Sequence, residues 1–180
     1  MNKIAKYLLL AVPLCAAAIA ATTPRISGNL LKIVESSLDD RVKSLWADNP
    51  FSIIRPTRGL YLDGYGAVFT VDVSPVLSTT SMMHPTVTKD EVTKAHKVRL
   101  EHVEELRTAM RAAVADMASA LEPVPADEQV TLVVYLTYHD WEDFSGTPGQ
   151  ITFRGKKKAL IDAKRAGAAA LKQAVMVTEN

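Results

Sequence analysis

Cysteine is almost absent from this sequence. The single cysteine, Cys15, cannot form a disulfide within the chain, and it lies in an N-terminal apolar run. Without that run, the remaining chain has no thiol for nucleophilic catalysis, no thiolate ligand for zinc and no CxxCH motif for haem attachment. A chain of 180 residues without disulfides must therefore be stabilised by its hydrophobic core.

The sequence also lacks a large net charge of either sign. It contains 21 lysine and arginine residues against 20 acidic residues, which gives a formal charge of +1 at pH 7. Loss of Lys3 and Lys6 with an N-terminal segment would change this charge to −1, because both are basic. The overall charge therefore gives no reason to expect nucleic acid as a partner.

Catalytic and nucleotide-binding motifs are missing as well. The sequence contains no HExxH zinc motif, no Gly-x-Ser-x-Gly elbow, no Walker loop and no dinucleotide-binding fingerprint. It also contains no internal repeat and no low-complexity tract. The sequence therefore assigns no catalytic residue, no metal and no cofactor, and it favours a protein that is not an enzyme.

The N-terminus has the pattern of a bacterial secretory signal. Two lysines precede the apolar run Tyr7–Ala21, and Ala18, Ile19 and Ala20 supply the small-x-small pattern of a cleavage site. These features predict a signal peptide over residues 1–21. The mature domain, residues 22–180, is then expected in the periplasm or outside the cell.

Two alternatives to cleavage remain for this segment. The first is a retained anchor, but an apolar run of about 15 residues is shorter than the roughly 20 that span a bilayer. The second is lipidation of Cys15, but the bulky Leu14 stands where that processing requires a small residue. We therefore expect a mature chain without a transmembrane segment.

Hydrophobic periodicity predicts a single α+β domain. Apolar steps of three and four residues indicate helices, and alternation of apolar and polar residues indicates strands. We expect a small, mostly antiparallel sheet, made of a hairpin and a central strand, packed against one long helix and flanking helices. The predicted elements are an N-terminal helix over 26–46, a hairpin over 59–73, a long helix over 88–121, a strand over 130–138, a short strand over 151–153 and a C-terminal helix over 156–175.

The strand patterns also predict the core. The residues on the apolar strand faces are Phe69, Val71, Leu132, Val134 and Leu136. Because a helix links the second strand to the third, these two strands can run parallel with a right-handed crossover.

The long helix has a clear start and an unexpected length. Thr88 and Glu91 match a capping box. A helix of about 32 residues would be roughly 48 Å long, more than a domain of this size requires. One end could project, a second chain could cover the apolar stripe, or the helix could bend near Leu100. We expect the sheet and the N-terminal helix to cover most of the stripe and leave only weak self-association.

Charged residues of the long helix predict a face that is exposed to solvent. They are Arg99, Glu101, Glu104, Glu105, Arg107 and Arg111.

The densest group of polar side chains follows the predicted central strand. The candidate polar site consists of His139, Asp140, Glu142 and Asp143, together with His84 from the polar loop over 74–86. Histidine and carboxylates can bind a metal or support hydrolysis, but this spacing matches no metal motif. Along an extended chain, only His139 with Trp141, or Asp140 with Glu142, can converge. An acidic loop without chemistry is the favoured interpretation.

A local excess of positive charge lies near the start of the predicted C-terminal helix. The candidate anion or partner patch consists of Arg154, Lys156, Lys157 and Lys158. Phosphate, lipid headgroups and an acidic protein would each fit this charge, and simple solubility is the alternative. The loop over 74–86, with Met82 and Met83, is another candidate contact surface.

These features together favour an exported binding or accessory module of the cell envelope, or a secreted one. Its expected partner is an envelope protein or a polyanionic envelope component. One alternative is a small hydrolase or metal-binding protein that uses His139, Asp140 and Glu142. The other is a homo-oligomeric structural protein joined through the long helix.

Overall fold

The computed structural model describes residues 26–46, 52–76 and 86–180, and these residues form an α+β fold. The predicted signal peptide and the middle of the loop over 74–86, which includes Met82, Met83 and His84, lie outside the described residues. In chain order, the elements are α1 (Gly28–Ser44), β1 (Ser52–Leu62), β2 (Gly66–Ser74), α2 (Lys89–Ala120), β3 (Gln129–Leu136), β4 (Gln150–Lys156), α3 (Lys157–Ala166), α4 (Ala168–Ala174) and β5 (Met176–Glu179).

The strands form one sheet in the order β1-β2-β3-β4-β5. β2 and β3 run parallel, with Phe69 opposite Leu132, and the other neighbouring strands are antiparallel. α2 provides the crossover that a parallel pair requires. The expected α+β class, the mostly antiparallel sheet and the parallel second and third strands are therefore confirmed.

Glycine is required in the turn between β1 and β2. Gly64 and Gly66 have φ values of 74° and 125°, a region that residues with a Cβ rarely adopt. A Cβ on Gly66 would also lie 2.0 Å from the carbonyl oxygen of Gln129. The absent side chain allows the turn to approach the start of β3, where Gln129 N donates a hydrogen bond to the Tyr65 carbonyl at 2.8 Å.

The hydrophobic core lies between the helices and one face of the sheet. The five strand residues predicted for the core are all buried in it: Phe69, Val71, Leu132, Val134 and Leu136. Opposite them, the stripe of α2 is buried as well, including Val103, Leu106, Met110, Ala113 and Met117. Exposed apolar residues of the opposite sheet face, such as Tyr135, do not belong to this core. The sheet therefore has one covered face and one open face.

The long helix is continuous over 32 residues. Its capping box is formed, because Glu91 N donates to Thr88 Oγ1 and Thr88 N donates to Glu91 Oε2. A helix of this length is roughly 48 Å long, whereas eight residues of β3 extend only about 26 Å. The segment between β3 and β4, residues 137–149, covers the N-terminal part of α2 through contacts to His96 and Arg99. Arg99 is fully buried there, so its predicted place on a solvated face was wrong.

α1 covers the free edge of β1. Gly59 N donates to Glu35 Oε1 at 2.7 Å, and Thr57 N donates to Asp39 Oδ1 at 2.9 Å. The Thr57 hydroxyl donates to the same Asp39 oxygen. An edge strand otherwise presents unpaired amides to other chains, so these two carboxylates occupy positions where a further strand would bind.

The C-terminal region differs from its prediction. The single helix expected over 156–175 is divided into α3 and α4 at Gly167, whose φ is 102°. β5 follows α4 and pairs with β4, although its pattern was not recognised in the sequence. Within residues 26–46, 52–76 and 86–180, none of the helices combines the length and hydropathy needed to span a membrane.

Candidate functional site

The predicted polar site contains a buried ion pair rather than a free carboxylate. Glu142, in the segment after β3, pairs with Arg99 of α2. The side chains of Arg99 and Glu142 are 0% and 1% exposed, so water does not reach the contact. Glu142 Oε1 also accepts a hydrogen bond from His139 N at 2.7 Å. The carboxylate is therefore occupied by partners within the protein.

Further contacts fix the same segment to α2. Arg99 Nη1 donates to the Asp143 carbonyl, and its guanidinium lies 4.9 Å from the centre of the Tyr138 ring. His96 Nδ1 lies 2.9 Å from the same carbonyl oxygen. The Tyr138 hydroxyl donates to the Pro148 carbonyl. Burial lowers the pKa of Arg99, and the nearby Tyr138 and Asp143 oppose this shift.

The other predicted site residues do not join Glu142 in a cleft. The ring of His139 stacks on Trp141, with centroids 5.7 Å apart and planes 6° apart. Asp140 and Asp143 are exposed, and Asp143 Oδ1 accepts a hydrogen bond from Ser145 N, which lowers the pKa of Asp143. His84 lies outside the described residues.

The arrangement of these groups indicates a structural role for the ion pair. A buried charge without a partner is strongly unfavourable, so Arg99 and Glu142 hold each other and the segment they join. In the part of the chain that the structure describes, no group of three histidine, cysteine or acidic side chains is placed to hold a metal ion.

The predicted basic patch is divided among different roles. Lys157 is buried, and its Nζ donates to the carbonyls of Glu122 and Val124 at 2.8 and 2.6 Å, just beyond the end of α2. Burial lowers the pKa of Lys157. Lys158 pairs with Asp162 at 2.6 Å on the surface of α3.

The other two residues of that patch, Arg154 and Lys156, are exposed on β4. Their register with β3 places them on the open face of the sheet. The Arg154 guanidinium contacts Met176 Sδ, with Nη2 at 3.1 Å. The open face therefore receives the part of the basic patch that remains accessible.

The open face combines apolar and cationic side chains. Leu60, Tyr135 and Met176 are 45%, 45% and 56% exposed. The centre is lined by shorter side chains, namely Val68, Thr70, Thr131, Val133 and Thr152. Tyr65 reaches this centre, since its hydroxyl lies 3.2 Å from Thr131 Oγ1.

Cations lie at two opposite corners of this face. Arg55 and Arg58 belong to β1, and Arg154 and Lys156 belong to β4. Among the described strand residues, Asp72 is the one acid that the register places on the open face. Its carboxylate is engaged by Arg55, at 3.7 Å, and by the Thr137 hydroxyl. The face therefore carries an excess of positive charge.

A shallow pocket marks the corner at β1. It has a volume of about 210 Å³ and is lined by Arg55, Pro56, Arg58, Asp72 and Tyr135, among others. Tyrosine and arginine are enriched where proteins bind other proteins, because they combine a large contact area with polar groups.

Sequence reasoning identified Arg154 and Lys156 but did not identify the open face as a unit. The alternation of β2 and β3 carries part of the signal, because Thr70, Asp72, Val133 and Tyr135 alternate with the core residues and so belong to the other face. The missing part was the pairing of β1 and β4 with these strands, which brings the two basic corners onto one surface. In comparisons with protein-family models, curated proteins and solved structures, nothing matches this chain.

Proposed function

We propose that this protein is an exported binding module without catalytic activity, and that the open face of its sheet binds an anionic component of the cell envelope. One observation carries the proposal: exposed apolar side chains and accessible cations occupy the same uncovered sheet face. Aromatic residues, methionine and arginine are enriched where proteins bind partners, and this face carries Tyr135, Met176 and Arg154.

The N-terminal pattern supports the location. Lys3, Lys6 and the apolar run that follows are typical of a segment that directs export. A protein delivered to the envelope meets anionic polymers, anionic lipids and acidic protein surfaces. The positive charge of the open face would attract each of these, and salt would weaken the attraction by screening it.

Two other functions have less support from the contacts. A hydrolase built on Glu142 would need a carboxylate that can reach substrate, whereas Glu142 is buried against Arg99. An oligomer joined through the stripe of α2 would need that stripe exposed, whereas Leu106 and Met110 are fully buried within the chain.

Charge reversal on the open face tests the proposal. The variant carries Arg58→Glu and Arg154→Glu, and the matched control carries Arg165→Glu and Lys172→Glu on exposed positions of α3 and α4. Both variants change the net charge equally, so only the position of the change differs. Circular dichroism would establish that each variant keeps the wild-type fold.

The measurement is the salt concentration that releases the protein from envelope fractions of the producing cells. We expect the open-face variant to be released at lower salt than the wild type, and the control to behave like the wild type. Release of the two variants at the same salt concentration would show that the proposal is wrong. A wild-type protein that never associates with the envelope would show the same.

A further inference from the structure

The open face has room for one helix. Its strands lie about 4.8 Å apart, so five strands extend roughly 19 Å across, and eight residues of β3 extend about 26 Å along the sheet. The projected area is therefore roughly 500 Å², and a helix about 10 Å wide lying along the face would cover about half of it. On the covered face of the same sheet, the long helix α2 is the main element packed against the central strands.

We infer that the open face binds a single amphipathic helix of an envelope protein, with acidic residues near both ends of the bound segment. This inference rests on the proposed function, because it identifies the anionic component that the open face would bind. A bound helix would add a third layer and bury the second face of the sheet, which is a stable arrangement for helices and sheets.

The shape of the face suits a rod. The short side chains of Thr70, Thr131 and Val133 form its centre, and the larger Leu60 and Tyr135 stand on either side. A helix with its side chains is about 10 Å wide and packs about that far above a sheet. The hydroxyls of Thr131 and Thr152 are already bonded to Tyr65 and Gln150, so the centre of the face presents mainly short, satisfied side chains on which a helix can lie.

The positions of the cations set the spacing of the acidic residues. Arg58 on β1 is level with Val133 of β3, and Arg154 on β4 is level with Thr131 of β3. The two arginines are therefore three strands apart across the sheet and two residues apart along it. Their Cα atoms are therefore about 16 Å apart, which equals about 11 residues of a helix. Arg55 and Lys156 lie farther apart, at about 25 Å or about 16 residues of a helix, on a line inclined by roughly 30° to the first.

The same charges disfavour a second copy of this chain as the occupant. Two open faces brought together would place the arginines of one protomer near those of the other, and like charges repel. Asp72, the acid on this face, is already engaged by Arg55 and Thr137. An acidic helix, in contrast, would pair with both corners.

Site-specific photo-crosslinking in the producing cells tests this inference. The photoreactive residue p-benzoylphenylalanine replaces Tyr135 on the open face, and in a matched control it replaces Ile33, which is 65% exposed on α1. Mass spectrometry then identifies the crosslinked molecule and the segment attached to position 135. We expect a segment of another protein with helical apolar periodicity and acidic residues about 11 to 16 positions apart.

A synthetic peptide of that segment then tests the charge pairing. It should bind the purified protein, gain helical circular dichroism on binding, and bind at least about tenfold more weakly to the Arg58→Glu, Arg154→Glu variant, which corresponds to about 1.4 kcal/mol. Replacing its acidic residues by lysine should restore binding to that variant.

The crosslinking results separate the two proposals. An anionic polymer attached at position 135, or an acidic protein segment that is not helical, would overturn the helix inference and leave the binding function. A basic segment, a second copy of this chain, or no attachment above that at position 33 would overturn both.

Discussion

Replacement of Arg99 by methionine should destabilise the fold by about 3–5 kcal/mol, because it would leave Glu142 as a buried charge without its partner. Both side chains are shielded from solvent, so water cannot take the place of the lost guanidinium. The variant also loses the hydrogen bond to Asp143 and the contact with Tyr138. Since domains unfold at a cost of about 5–15 kcal/mol, this change would remove a large part of the stability.

Urea titration followed by circular dichroism measures this loss. Arg107→Met is the matched control. Arg107 lies on α2, as Arg99 does, and it also pairs with a glutamate, but the side chain of this partner, Glu179 of β5, is 36% exposed. Its expected cost is about 1 kcal/mol or less. The double variant Arg99→Met, Glu142→Leu should recover most of the lost stability, because no buried charge remains.

Two results would refute the reasoning. One is a loss below about 1 kcal/mol for Arg99→Met, which would mean that solvent reaches the pair. The other is additivity, in which the double variant loses the sum of the two single losses, because residues in direct contact are expected to be coupled.

Three further predictions concern the core, an unusual tyrosine and export. Phe69→Ala should cost about 2–5 kcal/mol in a urea titration, and a change within about 0.5 kcal/mol would mean that the strand face is assigned wrongly. Burial and the hydrogen bond to Glu128 raise the pKa of Tyr61 from 10.0 to about 12. The stability from this neutral phenol is therefore complete below pH 10 and lost as the pH rises to about 12, so Tyr61→Phe should remove that alkaline loss and its late phenolate absorbance. N-terminal sequencing of exported protein should begin at Ala21 or Thr22, and an intact N-terminal methionine or a lipidated cysteine would contradict it.

Short-range patterns predicted the elements whose structure is determined locally. The alternation in β2 and β3 identified the core strands, and Thr88 with Glu91 marked the start of α2. β5 escaped prediction because its four residues carry little periodicity and are held by pairing with β4.

Charged side chains were harder to place for a related reason. Arg99 is four residues from Ala95 and from Val103, so the buried stripe of α2 passes through it. The charge of Arg99 predicted a position exposed to solvent. Its partner Glu142 becomes a neighbour only when the segment after β3 folds onto the helix. Lys157 is similar, because its acceptors are main-chain carbonyls that no side-chain pattern reveals.

The cover that α1 provides also affects how the β1 edge of the sheet meets other chains. Glu35 and Asp39 of α1 already occupy two amides of β1, so strand-to-strand polymerisation on that side would first require α1 to leave. α1 also precedes β1 in the sequence, and synthesis runs from the N-terminus. The helix is therefore made before the strand that it protects, and every nascent chain that exposes β1 already contains the carboxylates that cover it.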